Sequence, residues 1–184
     1  MDFETLFNEN LKNSIFIFSI LSFAIYSQDN LQTTLFPLIT KKTNLNWFGN
    51  SIEIIKIKIN ILFNNLQLDC QVNDIDLIYD SYPDGNLCYV YRITFKQKLI
   101  CIFCFRGTET NKNWWTNFYS IYAKKISIGH NINVAKYFYT SFYKMNSKVN
   151  EYLEKNIHKK DNILLLGHSL GGVYANILAY NLLK

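Results

Sequence analysis

Asn162-Ile163-Leu164-Leu165-Leu166-Gly167-His168-Ser169-Leu170-Gly171-Gly172 is the stretch that decides the fold. Ile163 to Leu166 is apolar at every position. A strand with one face in water alternates apolar and polar residues. An unbroken apolar run therefore predicts a strand covered by helices on both faces, in the middle of a sheet. Gly167 ends the run, and Gly172–Leu183 is expected to be a helix. Strand, tight glycine-rich turn and helix together indicate an α/β fold.

Upstream elements support this class. Ala135–Asn156 is expected as a long helix. Leu87–Phe95 and Leu99–Phe105 are β-rich runs joined by Lys96-Gln97-Lys98, a hairpin signature. Ile75–Tyr79 predicts a short strand, followed by turn residues Pro83-Asp84-Gly85-Asn86. Residues 51–68 are ambiguous: alternating Ile and Lys at Ile55–Ile59 suits a strand, while the longer window suits a helix. Residues 31–50 are irregular around Pro37 and Gly49, and the first 30 are helical to near Ser27–Asn30. Within them Ile15–Tyr26 is strongly apolar, yet shorter than the ~20 residues a bilayer needs. The start carries Asp2, Glu4 and Glu9 with a late Lys12, and no A-x-A site follows, so a buried helix is expected over a signal peptide or anchor.

The length of 184 residues predicts a single domain, with 87–184 as its motif-bearing part. With 49% hydrophobic and 18% charged residues the chain has the composition of a globular protein. The formal charge of +5 comes from lysines in separate doublets, Lys41-Lys42, Lys124-Lys125 and Lys159-Lys160. With no basic run and no interleaved arginine platform, they are expected to be solvated surface charge. Approach to an anionic lipid surface is the weaker alternative, and nucleic-acid binding weaker still. Cys101-Ile-Phe-Cys104 has redox or zinc spacing, but residues three apart on a strand point to opposite faces. Buried free thiols at Cys70, Cys88, Cys101 and Cys104 are expected instead, with no metal and no cofactor. Free thiols, and the lack of an N-x-S/T sequon, point toward a reducing compartment.

Gly167-His168-Ser169-Leu170-Gly171 is G-x-S-x-G, a weak signal alone and a strong one between a strand and a helix. Such an elbow places Ser169 on a sharp corner, where a helix N-terminus favours developing negative charge. Gly167 and Gly171 are expected where larger side chains would collide. His168 is expected to be a packed, supporting residue, because neighbours on such a turn diverge. Arg106 and Glu109 are expected to be structural ion-pair partners.

A second motif points to a family. Phe105-Arg106-Gly107-Thr108 ends a strand, and Asn113-Trp114 follows, with Asn117 beyond. Together with Gly167–Gly172, this resembles the class 3 (fungal-type) lipases, of α/β-hydrolase fold, in order and rough spacing over residues 87–184. The resemblance implies a nucleophile at Ser169 and oxyanion donors at Thr108 and Leu170. It implies a lid at Trp114 and Trp115, where Phe118 and Tyr119 add aromatics suited to a flap that opens on lipid. An ordinary aromatic core is the alternative for that cluster. Lipid or ester substrate at an interface is the implied partner. One departure stands out: Val134-Ala135-Lys136-Tyr137-Phe138 occupies the place of the family's V-H-x-G-F, without its His or Gly.

The family's triad runs Ser, Asp, His along the chain. Only 15 residues follow Ser169, with no Asp or His among them. His158 precedes the strand that carries the serine, which keeps the two roughly 15 Å or more apart at 3.3 Å per residue. A serine without its base retains only about 10³–10⁴-fold over water. Three expectations follow: a longer lipase cut after the nucleophile helix, a non-catalytic lipase-like module for lipid binding or interaction, or a hydrolase completed by another chain or an unusual base, for which His130, after the lid region, is the weaker upstream candidate. A chain cut there would lack a C-terminal half, leave a strand edge open and self-associate.

Overall fold

The structure, a computed structural model, describes residues 11–24, 52–80, 86–107, 124–129, 132–158 and 161–183. Thr108, Glu109, Trp114, Trp115, Phe118, Tyr119, His130, the turn residues Pro83–Gly85 and the stretch 31–50 lie outside them. Among the described residues ten elements run in the order α1 (Leu11–Ala24), α2 (Ile52–Asn65), β1 (Cys70–Asp80), β2 (Leu87–Phe95), β3 (Lys98–Phe105), β4 (Lys125–Gly129), β5 (Ile132–Ala135), α3 (Lys136–Asn156), β6 (Asn162–Gly167) and α4 (Leu170–Leu182). A four-stranded mixed sheet has the order β1-β2-β3-β6, with β6 parallel to β3 and the other pairs antiparallel. β4 and β5 form a separate hairpin.

Strand alternation builds three layers. Odd residues of β2 (Leu87, Tyr89, Tyr91, Ile93, Phe95) and even residues of β3 (Ile100, Ile102, Cys104) face α1 and α2, burying Ile17, Ile20 and Leu21 with Ile55, Ile59, Leu62 and Phe63. On the other side Cys88, Val90, Phe103 and Phe105 meet Phe142, Met145 and Val149 of α3 and Leu170, Tyr174 and Leu178 of α4. Cys101 and Cys104 thus point apart, and the four cysteines are free and buried, as expected. The apolar segment within 15–26 packs its Ile17, Ile20 and Leu21 into the core.

The ambiguous segment is a helix. Its buried residues Ile55, Ile59, Leu62 and Phe63 follow helical spacing, and the exposed Ile54, Ile57 and Ile61 are what blurred the pattern. Its Asn60 binds β1 at both ends of its amide: Nδ2 donates to Val72 O at 2.9 Å, and Oδ1 accepts from Val72 N–H at 2.7 Å. β1 is longer than the expected Ile75–Tyr79, because an edge strand tolerates the polar Asn73, Asp74 and Asp76. Among the described residues β6 pairs only with β3. Helices nonetheless cover both its faces, Leu164 and Leu166 packing toward α1 and α2, Ile163 and Leu165 toward α3 and α4.

The β2–β3 hairpin turns through Lys96 (φ 45°) and Gln97 (φ 64°). Two residues at positive φ make a type I′ turn, which glycine at the second position fits without strain. Gln97→Gly is expected to raise stability by up to about 1 kcal/mol. A urea midpoint unchanged or lowered would contradict this.

A polar latch ties α3 to the sheet. Tyr152 donates to Asp76 Oδ2 at 2.6 Å and accepts from Arg92 Nη2 at 2.7 Å, while Arg92 also donates to Asp76 at 2.9 Å. The Tyr152 ring packs edge-on against Phe103, centroids 5.8 Å apart. Tyr152→Phe keeps this packing and the direct Arg92–Asp76 pair but removes one hydrogen bond from each partner, so it is expected to cost about 1 kcal/mol. Burial, then the Asp76 carboxylate, push the Tyr152 hydroxyl up from the ordinary 10.0 to about 12. The folded state therefore holds the proton more tightly. The associated stability is complete below about pH 10 and drains as pH rises toward about 12. An alkaline urea series should show this loss reduced in Tyr152→Phe.

Candidate active site

The elbow is built by glycines that admit no side chain. Gly171 lies against the end of β3: a Cβ there would sit 2.1 Å from Phe105 O and 3.0 Å from Arg106 C. A Cβ on Gly167 would sit 2.1 Å from the Gly171 carbonyl carbon and oxygen. Strand, corner and helix touch backbone to backbone, which is why both positions are glycine.

Between them Ser169 adopts φ 55°, ψ −121° as the residue before α4. A non-glycine residue there costs about 1–3 kcal/mol and persists only where the surroundings enforce it. Ser169 is exposed at the N-terminus of α4. Gly171 N–H donates to His168 O at 3.0 Å and Gly172 N–H to Ser169 O at 2.9 Å, which closes the corner. No acceptor among the described residues takes the Leu170 N–H. It belongs to the unpaired first turn of a helix, whose positive end favours an anion.

Phe105 pairs with Gly167 in the parallel register, so the Phe105-Arg106-Gly107 end of β3 lies beside the elbow. These three residues are buried, and Arg106 N–H is held by Leu87 O at 3.0 Å. Thr108 follows directly, outside the described residues, as do the two tryptophans. His168 corrects an expectation: it is exposed rather than packed, because the corner that lifts Ser169 from the sheet lifts its neighbour too. His158 lies before β6, at the end of the strand away from Ser169.

One supporting group escaped the sequence. Tyr174 is buried under the corner, its ring edge-on to Phe105 and tilted against Phe142, its hydroxyl donating to Asn86 Oδ1 at 3.1 Å. A tyrosine inside a helix carries no local mark of such a role. The thiols, by contrast, drop out as nucleophiles. Burial pushes Cys70 and Cys104 up to about 12, and raises Cys88 and Cys101, so thiolate is scarce at neutral pH.

A mixed sheet between helices, with a strained serine on a strand-to-helix corner, defines an α/β-hydrolase-like fold. Residues 102–184 match the family model described as Lipase (class 3). Lipase II from Rhizopus niveus is structurally similar with TM-score 0.50 and 18% identity, over 92% of this chain and 56% of that one. The lipase from Rhizopus microsporus var. chinensis gives TM-score 0.49 and 14% identity, over 90% of this chain and 50% of that one. The chain thus spans about half the length of the solved lipases it matches. No functionally curated protein matches.

Proposed function

We propose that this chain carries the nucleophile and oxyanion part of a serine carboxylic-ester hydrolase acting on lipid esters at an interface. The observation behind it is Ser169: a serine held at φ 55° between two glycines, exposed at a helix N-terminus, within a class 3 lipase segment. In this reading Ser169 Oγ attacks the ester carbonyl. The amides of Leu170 and Thr108 receive the oxyanion, and the alcohol leaves with a proton from the general base. Trp114 and Trp115 serve as lid residues. Gly167, His168 and Gly171 form the corner itself. No cofactor or metal enters the reaction.

In this reading the base and its acid lie outside the described residues. The chain alone is expected to turn over p-nitrophenyl esters at less than about 1 s⁻¹. In an assembly that supplies the base, a fluorophosphonate ester is the direct probe. Adduct on the Ser169 peptide, absent in Ser169→Ala, supports the assignment, whereas adduct on a different serine overturns it. A second reading, a non-catalytic lipid-binding or interaction module, draws on the position of His158 at the far end of β6.

A further inference from the structure

We propose that Lys124, Lys125 and Lys136, with the tyrosine face of α3, dock this protein on an anionic lipid surface. The backbones of Lys124 and Lys125 meet that of Lys136 although the two segments are apart in sequence. Lys136 N–H donates to Lys124 O at 2.8 Å, and Lys125 pairs with Ala135 across the β4–β5 hairpin. All three are exposed. No ion pair with a described residue engages any of them. Elsewhere on α3 the pattern differs: Glu151 binds both Lys148 at 3.1 Å and Lys155 at 2.9 Å. Among the described residues, positive charge without an ion-pair partner therefore collects at the hairpin base and the start of α3, while Lys148 and Lys155 further along the helix are paired.

That start lies on the serine's side of the sheet. Phe142 packs on Phe105 and Tyr174, beside the elbow, whereas Tyr152 packs on Phe103 and Arg92, further back along the strands. Lys136 opens the helix about 9 Å before Phe142 at 1.5 Å per residue, and so stands beyond the sheet end that carries Ser169. Nearby on the same helix, Tyr143 is 65% exposed and stacks on Tyr139, ring centroids 6.3 Å apart. Lysines beside exposed tyrosines suit a lipid headgroup region, where the ammonium meets lipid charge and the ring sits between water and chains. Charge complementarity selects an anionic surface over a neutral one. Docking in this way does not require Ser169 to react.

The test is co-sedimentation with vesicles of phosphatidylcholine doped with phosphatidylglycerol, against pure phosphatidylcholine. Binding is expected on the doped vesicles and lost on raising salt. Each lysine near an anionic surface is worth about fivefold, so Lys124→Ala/Lys125→Ala/Lys136→Ala should weaken partitioning roughly 100-fold. Lys148→Ala/Lys155→Ala should leave it unchanged, as should Ser169→Ala, which separates docking from the proposed chemistry. Equal binding to both vesicle types, binding indifferent to salt, or equal losses in the two lysine variants would each overturn the proposal. The salt series on the unmodified chain decides it even if the triple variant fails to fold.

Discussion

Ser169→Gly is expected to yield a protein more stable than the parent and unable to form an acyl intermediate. Serine at φ 55°, ψ −121° stores about 1–3 kcal/mol of backbone strain. Glycine enters that region freely, while its greater freedom in the unfolded chain returns about 0.5–1 kcal/mol. A net gain of about 1 kcal/mol remains. Ser169→Ala keeps the Cβ, keeps the strain, and should stay within about 0.5 kcal/mol of the parent. Both variants lack the nucleophile. In any assembly that supplies the base, ester turnover should fall roughly 10⁴-fold or more. Urea denaturation of the three proteins, with ester hydrolysis in parallel, checks both halves. Ser169→Gly less stable than Ser169→Ala would remove the strain argument, and with it the main reason for calling the corner functional.

The second large effect distinguishes neighbouring glycines. Gly171→Ala should destabilise by about 3–5 kcal/mol, a large share of the 5–15 kcal/mol typical of a domain. Its methyl would stand 2.1 Å from Phe105 O, and that oxygen belongs to a strand fixed on both sides by β2 and β6. Neither backbone can yield without moving α4 off the sheet. Gly172→Ala meets the Gly167 carbonyl at ordinary contact distance, its oxygen at 3.4 Å and its carbon at 4.0 Å, and gains up to about 1 kcal/mol of helix propensity. It should be neutral or slightly stabilising. Equal urea midpoints for the two alanine variants would mean that the strand and helix do not approach as closely as the elbow requires.

The corner was legible because every feature of it is local. Gly167, Ser169 and Gly171 announce a tight turn, and the apolar run before them announces a strand. The β2–β3 hairpin and α3 are equally local, set by β-rich alternation and by one long helical stretch. The family motif at Phe105–Gly107 could be paired with the elbow in advance, and the parallel register of Phe105 with Gly167 places the two side by side.

Other features needed the fold. Ile55–Ile59 alternates like a strand, yet it is a helix, because the sheet face and α1 bury every fourth residue and leave the intervening isoleucines exposed. β1 carries Asn73, Asp74 and Asp76, which strand propensity disfavours; Arg92, Tyr152 and the edge position accommodate them. His168 looked like a packing residue and is exposed, since its environment depends on how far the corner rises from the sheet. The backbones of Lys124, Lys125 and Lys136, from two segments, came together only when β4 and β5 paired. Sequence by itself determined what backbone geometry and neighbouring side chains enforce over a few residues. Tertiary structure decided burial, charge convergence and strand neighbours, because each depends on segments that meet only when the chain closes on itself.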